Sequence, residues 1–340
     1  MKKLNLFIAI GFCLVSNIAF GKVILPEIFG DNIVLQQKSL VMLWGWAEPN
    51  EKVTVYTSWN HGTARVRADS QGIWRVRSKT IKAGGPYYIE FKASNHIRLE
   101  NVLLGEVWLV SGQSNMGSAT GPAVLGLGAA LGSGVLAPGG LGSATSASAA
   151  MGPAAFGEIR MIDVRHTIAD TPVMGVSGKW KICSSTSSLN TTGKLTPVGI
   201  INSSWGGTPI ESWINRPVLE SDVRFKPILE TYEKHLAEYP GKHEAYLIKM
   251  DSWHKDTSAN KGRAPAAPVG PKSSVSPGKL YNGMIAPLLN CKIAGVIWYQ
   301  GRANVKEPSL YQELFPVLMR SWRSSFKNDM LPFHVVQIKP

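Results

Sequence analysis

"VWLVSGQSNM", Val107 to Met116, is the stretch on which the fold turns. Val107 to Val110 are apolar without interruption, and Ser111, Gln113, Ser114 and Asn115 follow at once. An unbroken apolar run is how a strand covered on both faces reads, whereas a half-solvated strand alternates. Four more runs of this kind follow: "EIRMIDV", "PVGIINSS", "IAGVIWYQG" and "PFHVVQI". Together with "EVWLVSG" they predict a doubly wound α/β domain with a parallel sheet over 105–340. Each ends in polar or glycine-rich residues, where such sheets bind their ligands.

Upstream the period changes. Between Val23 and Leu104 the segments "VMLWGWAE", "KVTVYTSW", "GIWRVR", "PYYIEFKA" and "HIRLENV" are short, alternating and separated by Gly, Pro, Asn and Asp. This pattern predicts a small all-β sandwich over 22–104. Trp44, Trp46, Trp74 and Tyr88 either pack its core or offer a sugar-stacking platform, and aromatic burial favours the core. Residues 1–21 combine Lys2 and Lys3, an apolar stretch and Ala19-Phe20-Gly21. They read as a signal peptide removed before Lys22, with export to the periplasm or the extracellular space and no stable membrane insertion after cleavage.

The 340 residues carry a formal charge of +13, which stays strongly positive when Lys2 and Lys3 leave with the signal peptide. The basic residues are scattered, without a run of five or an aromatic ladder, so nucleic acid is not an expected partner. Cys183 and Cys291, the two cysteines beyond Cys13, form neither a disulfide framework nor a zinc spacing, and their pairing stays open.

Two segments break the pattern. Residues 117–157 contain no charged side chain and eleven glycines, which argues against the polar-faced helix expected after a first strand. Within 215–280, "KPILETYEKHLAE" places Ile228, Leu229, Tyr232 and Leu236 on one helical face, and "GRAPAAPVGPKSSVSPG" reads as a Pro/Ser-rich surface loop.

Three strand ends carry candidate chemistry. Ser114, one step further past the strand than Ser111, is either an exposed nucleophile or a helix cap. In "INSSWGGTPIESW", Gly206 and Gly207 can bring backbone N–H groups close to a ligand, and Thr208 to Glu211 read as a capping box with a helix starting at Pro209. In "GVIWYQGRANV", Asn304 can offer its amide to the same oxyanion or simply shape a turn.

Taken together, "LLGEVWLVSGQSNM", "GIINSSWGGTPIESWI", "LYNGMIAPLL", "IAGVIWYQG", "LFPVLMRSWR" and "GDNIVLQQ" resemble the sialate O-acetylesterases, carbohydrate esterases of the SGNH hydrolase class. The resemblance implies a β-sandwich leading into an SGNH-type α/β domain that removes acetyl groups from sugars without metal or cofactor. It implies Ser114 as nucleophile, Gly206, Gly207 and Asn304 as oxyanion donors, and Gln113, Trp205 and Gln300 as substrate contacts. Where the family reads Gly-Glu-Ser-Asn, this chain reads Gly301-Arg302-Ala303-Asn304, and the charge reversal is expected to disturb the loop.

The family's base is an Asp-x-x-His beyond the last strand, and the sequence stops at Pro340, directly after "PFHVVQI". The resemblance therefore implies a C-terminal part that these 340 residues do not include. Asp251-Ser-Trp-His254 has the spacing but precedes Asn304, out of order for this fold. His334 reads as a packed strand residue and His166 as a neighbour of the site. The second reading is a non-catalytic, glycan-binding or degenerate relative.

Overall fold

The computed structural model describes residues 22–113, 159–183, 196–257 and 262–336. The expected signal peptide, Ser114, the uncharged 117–157 segment and "TSSLNTTGKL" lie outside the described residues. Seven strands make up the N-terminal part: β1 (Val34–Gln36), β2 (Leu40–Trp46), β3 (Lys52–Thr57), β4 (Gly62–Arg67), β5 (Ile73–Lys79), β6 (Gly84–Lys92) and β7 (His96–Gly112). Strands β4, β3, β6 and the first half of β7 pair antiparallel in that order, and β2 pairs antiparallel with β5. Trp74 of β5 packs on Phe91 of β6 with ring centroids 5.6 Å apart, so the two sheets meet face to face. The alternation seen in the sequence is the inward half of each strand. Trp44 and Trp74 are each 1% exposed and belong to the core, whereas Trp46 and Tyr88 are half-buried. Strand β4, whose residues alternate between half-buried and exposed, escaped the sequence reading because its apolar positions are only Ala64 and Val66.

The remaining strands are β8 (Ile159–Asp163), β9 (Trp180–Ile182), β10 (Val198–Ser204), β11 (Gly295–Tyr299) and β12 (Phe333–Val335). Their order is β9, β8, β10, β7, β11, β12, with β9 antiparallel and the other five parallel. All five unbroken apolar runs are parallel strands of one sheet. Along β10, β7, β11 and β12 the chain order reverses direction beside β7, which is the doubly wound arrangement with its switch point between β7 and β11.

Strand β7 does not stop where the period changes. Its first half alternates up to Asn101, and from Val102 onward nearly every residue is buried. The first half pairs with β6 and β1 and the second with β10 and β11. Gly105 stands at the passage: a Cβ there would lie 1.9 Å from the Pro197 carbonyl oxygen, the acceptor for the Glu106 N–H at 2.9 Å. The Glu106 carboxylate is gripped from the N-terminal part, by Gln36 Nε2 at 3.0 Å and Gln37 Nε2 at 2.7 Å. The "VLQQ" and "GEVWLV" blocks are thus one contact.

Helices α1 (Arg216–Glu220), α2 (Lys226–Lys255) and α3 (Pro308–Ser325) complete the frame. On α3, Leu314, Leu318 and Trp322 are buried, and Trp322 meets Trp298 of β11 edge-on at 5.7 Å. The expected helix at Lys226–Glu238 continues to Lys255, through Pro240. Beyond Glu238 no apolar stripe announces it; the pairs Glu238–Lys242 and Asp251–Lys255, both at 2.7 Å, support an exposed helix instead. Among the described residues no helix is long and apolar enough to cross a membrane. Cys183 and Cys291 are both free thiols.

Candidate active site

The register of the parallel strands decides what can meet at their ends. Ser204 of β10 pairs with Gly112 of β7, and Gly112 pairs with Tyr299 of β11. Three chain segments therefore leave the sheet abreast: Gln113, then Trp205 to Gly207, then Gln300 to Asn304. Two backbone bonds hold the exits together, Gln113 N–H to Tyr299 O at 2.7 Å and Trp205 N–H to Gly112 O at 2.9 Å. Ser111 is fully buried and its hydroxyl donates to Ser203 O at 2.6 Å, which ties it into the sheet. Gln113 is the last described residue of this exit, and Ser114 lies outside the described residues.

Gly207 has φ +76° and open space around its Cα, so its glycine serves backbone freedom rather than close packing. The Gly206 and Gly207 N–H groups bond to nothing among the described residues. The expected helix at Pro209 is instead a four-residue 3-10 turn, Ile210–Trp213. The capping box does not form because its two side chains are engaged elsewhere. Thr208 Oγ1 donates to Trp205 O at 2.8 Å and accepts from Trp213 Nε1 at 2.9 Å. Glu211 Oε2 accepts from Asn304 Nδ2 at 3.0 Å.

Asn304, 7% exposed, is held at every side as a result. Its Oδ1 accepts from the Ile210 N–H at 3.0 Å and from Gln300 Nε2 at 2.8 Å. With two donors on the oxygen and a carboxyl group on the nitrogen, the amide orientation follows from the network. Gln300 Nε2 also donates to Thr208 O at 3.2 Å, while its Oε1 is buried and without a partner among the described residues. Gln113 Oε1 accepts from the Arg302 N–H at 3.3 Å. Gln113 and Gln300, expected to touch substrate, thus frame the crevice through these bonds. Arg302 starts a 3-10 turn over Arg302–Asn304 with its side chain exposed, beside the buried Asn304. Burial pushes the Glu211 carboxyl above its ordinary range, and the charge of Glu307 adds to the effect.

His166, which follows β8, reaches the same edge. Its ring stacks on Trp205, centroids 4.0 Å apart and planes 7° from parallel. Its Nε2 lies 3.0 Å from Ser204 O, so Nε2 carries the hydrogen. Beyond this stack lies a recess of about 300 Å³ lined by Trp205, Ile168, Tyr239, His243, Lys272 and Ser273, with no carboxylate among the described residues of its lining. A second recess of about 270 Å³ has Glu211, Glu307 and His235 in its wall. His334 packs against Trp108 at 5.3 Å, and His254 is exposed near the end of α2. Among the described residues no three His, Cys, Asp or Glu side chains cluster as a metal ion would require. Glu211 was missed as a member of the site, because the "GTPIE" spacing signalled a cap; His166, read as a neighbour of the site, stands against Trp205, a contact that nothing local signals.

No family model matches the chain. It is similar to the sialate O-acetylesterases of Rattus norvegicus (26% identical over 91% of this chain and 59% of that protein), Mus musculus (27%, 91% and 59%) and Homo sapiens (26%, 91% and 55%). It also resembles a solved carbohydrate acetylesterase from Xanthomonas citri, with TM-score 0.62 and 26% identity over 93% of this chain and 60% of that one. The mixed α/β fold, built on a mostly parallel sheet, is thus shared with carbohydrate acetylesterases. Within that class the curated proteins that the chain resembles are sialate O-acetylesterases. It spans between 55% and 59% of the length of these curated relatives.

Proposed function

We propose that this protein is an exported carbohydrate esterase of SGNH type that removes O-acetyl groups from sugars, sialate first among them, by serine acyl transfer. The observation that supports this reading is the register Ser204–Gly112–Tyr299, which brings Gln113, the Gly206-Gly207 loop and the Asn304 loop to one edge of the sheet. Ser114 attacks the acetyl carbonyl carbon; the sugar oxygen leaves with a proton, and acetyl-Ser114 remains. Water then attacks the acyl group, releasing acetate and restoring the hydroxyl. The N–H groups of Ser114 and of Gly206 or Gly207, with the Asn304 amide, stabilise the oxyanion of both steps. In the family pattern the base is an Asp-x-x-His later in the chain than β12.

The recess beside Trp205 supports a sugar as the alcohol half of the ester. It offers aromatic faces, the Ser273 and Ser274 hydroxyls and the Lys272 ammonium, and an anionic ring meets no carboxylate among the described residues there. The test is hydrolysis of 4-nitrophenyl acetate and of an O-acetylated sialic acid by the chain and by Ser114→Ala. Acetate release by the first and none by the second is expected; equal rates would sink the reading. Export is checked by the N-terminal residue of the secreted form, expected to be Lys22.

A further inference from the structure

Resting on that reading, we propose that Glu211 is the positioning residue of the oxyanion site, holding Asn304 through the side-chain amide from a different strand end. Asn304 sits on a short loop after β11, and an asparagine on a loop has no reason of its own to keep one rotamer. Here three bonds remove its freedom. The oxygen is fixed by Ile210 N–H at 3.0 Å and Gln300 Nε2 at 2.8 Å, and the nitrogen by Glu211 Oε2 at 3.0 Å.

The first two bonds alone leave the Nδ2 group free to tilt about its oxygen, whereas the third fixes the amide plane. One Nδ2 hydrogen is thereby committed to Glu211, and the other makes no bond among the described residues. That second hydrogen is the one available to a developing oxyanion.

Glu211 itself is anchored to the Gly206-Gly207 loop through the 3-10 turn that carries it. The same carboxyl group therefore couples two of the three donor-bearing loops, and a shift in either is felt by the other. The carboxyl group that holds Asn304 comes from the loop after β10 and not from position 302. A misplacement near 1 Å of a donor can cost on the order of a hundredfold in rate.

The experiment compares Glu211→Leu and Glu211→Met, which remove the acceptor at similar volume, with Glu211→Gln, which keeps an acceptor oxygen. For the esterase, the first two are expected to lower kcat about 10- to 100-fold with KM unchanged, and Glu211→Gln to stay within about threefold of the parent. Combining Glu211→Leu with Asn304→Ala is expected to be no slower than Asn304→Ala alone.

A second readout does not need turnover: the side-chain NH2 resonances of Asn304, assigned through Asn304→Ala. They are expected to move in Glu211→Leu and Glu211→Met and to stay near their parent positions in Glu211→Gln. Unmoved Asn304 resonances in the acceptor-free variants, or additive rate losses in the double variant, overturn the positioning role. Absence of acetate release by the parent chain overturns the esterase reading instead, and the resonance comparison still decides the role of Glu211.

Discussion

A Cβ on Gly112 would lie 2.1 Å from the carbonyl oxygen of Tyr299. The two residues end neighbouring strands at the switch point of the sheet, and their closeness lets the Gln113 N–H reach that oxygen. With φ at +117°, Gly112 also occupies a conformation that other residues rarely adopt. Gly112→Ala is therefore expected to cost about 1–3 kcal/mol from crowding alone and to push the β7 and β11 exits apart. Urea unfolding checks the stability, and acetate release is expected to fall with it.

The two serines of the opening stretch should separate cleanly. Ser111 spends its hydroxyl on Ser203 O inside the sheet, so Ser111→Ala is expected to lose about 1–2 kcal/mol of stability while hydrolysis persists. Ser114→Ala is expected to do the reverse, abolishing hydrolysis at unchanged stability. Denaturation midpoints and 4-nitrophenyl acetate rates on the two variants test this, and a swapped result would move the nucleophile to Ser111.

Glu211 makes stability depend on pH in a defined direction. Its folded carboxyl titrates above the ordinary value of 4.5, chiefly because burial disfavours the charge. A group that binds its proton more tightly when folded stabilises the fold below the unfolded value. That contribution is lost as pH rises from 4.5 through the folded value. Glu211→Gln cannot ionise, so its unfolding free energy is expected to decline less than that of the parent over this window. Parallel curves for the two proteins in urea unfolding across pH would contradict the assignment.

The free thiols should be poorly reactive. Burial raises Cys183 to about 11 and Cys291 to about 12, so the thiolate fraction of Cys183 at pH 8 is on the order of a thousandth. Alkylation of the native chain, read by mass spectrometry on the peptides containing Cys183 and Cys291, is expected to be slow and to become fast in denaturant. Rapid labelling of either peptide under native conditions would refute the burial argument.

The strands of the parallel sheet were legible because a doubly covered strand must be apolar throughout, and "VGIIN" or "GVIWY" has no other use. The antiparallel strands were legible wherever the inward side chains are large, as at Val53 and Val55, and not at β4, where they are small. The places where the chain leaves the sheet after β7, β10 and β11 could be named from the sequence, since each apolar run ends abruptly in polar or glycine residues. What escaped was every contact between loops. Glu211 and Asn304 are distant in sequence, and so are His166 and Trp205; only the register of β8, β10, β7 and β11 brings them together. The local signal at Glu211, a capping box, was real as a spacing and misleading as a structure, because Trp213 and Asn304 took the side chains first.

The seventeen residues of β7 belong to both halves of the molecule, with Gln36 and Gln37 clasping Glu106 midway. A strand shared in this way transmits loss of order along its own backbone. Melting of the antiparallel half removes the partners that align the stretch ending at Gly112, and so undoes the floor of the crevice. The molecule is therefore expected to unfold in one transition, with hydrolysis and β-sheet signal lost at the same temperature. Cutting the gene at codon 104 or 105 would divide a single hydrogen-bonded element instead of releasing a module.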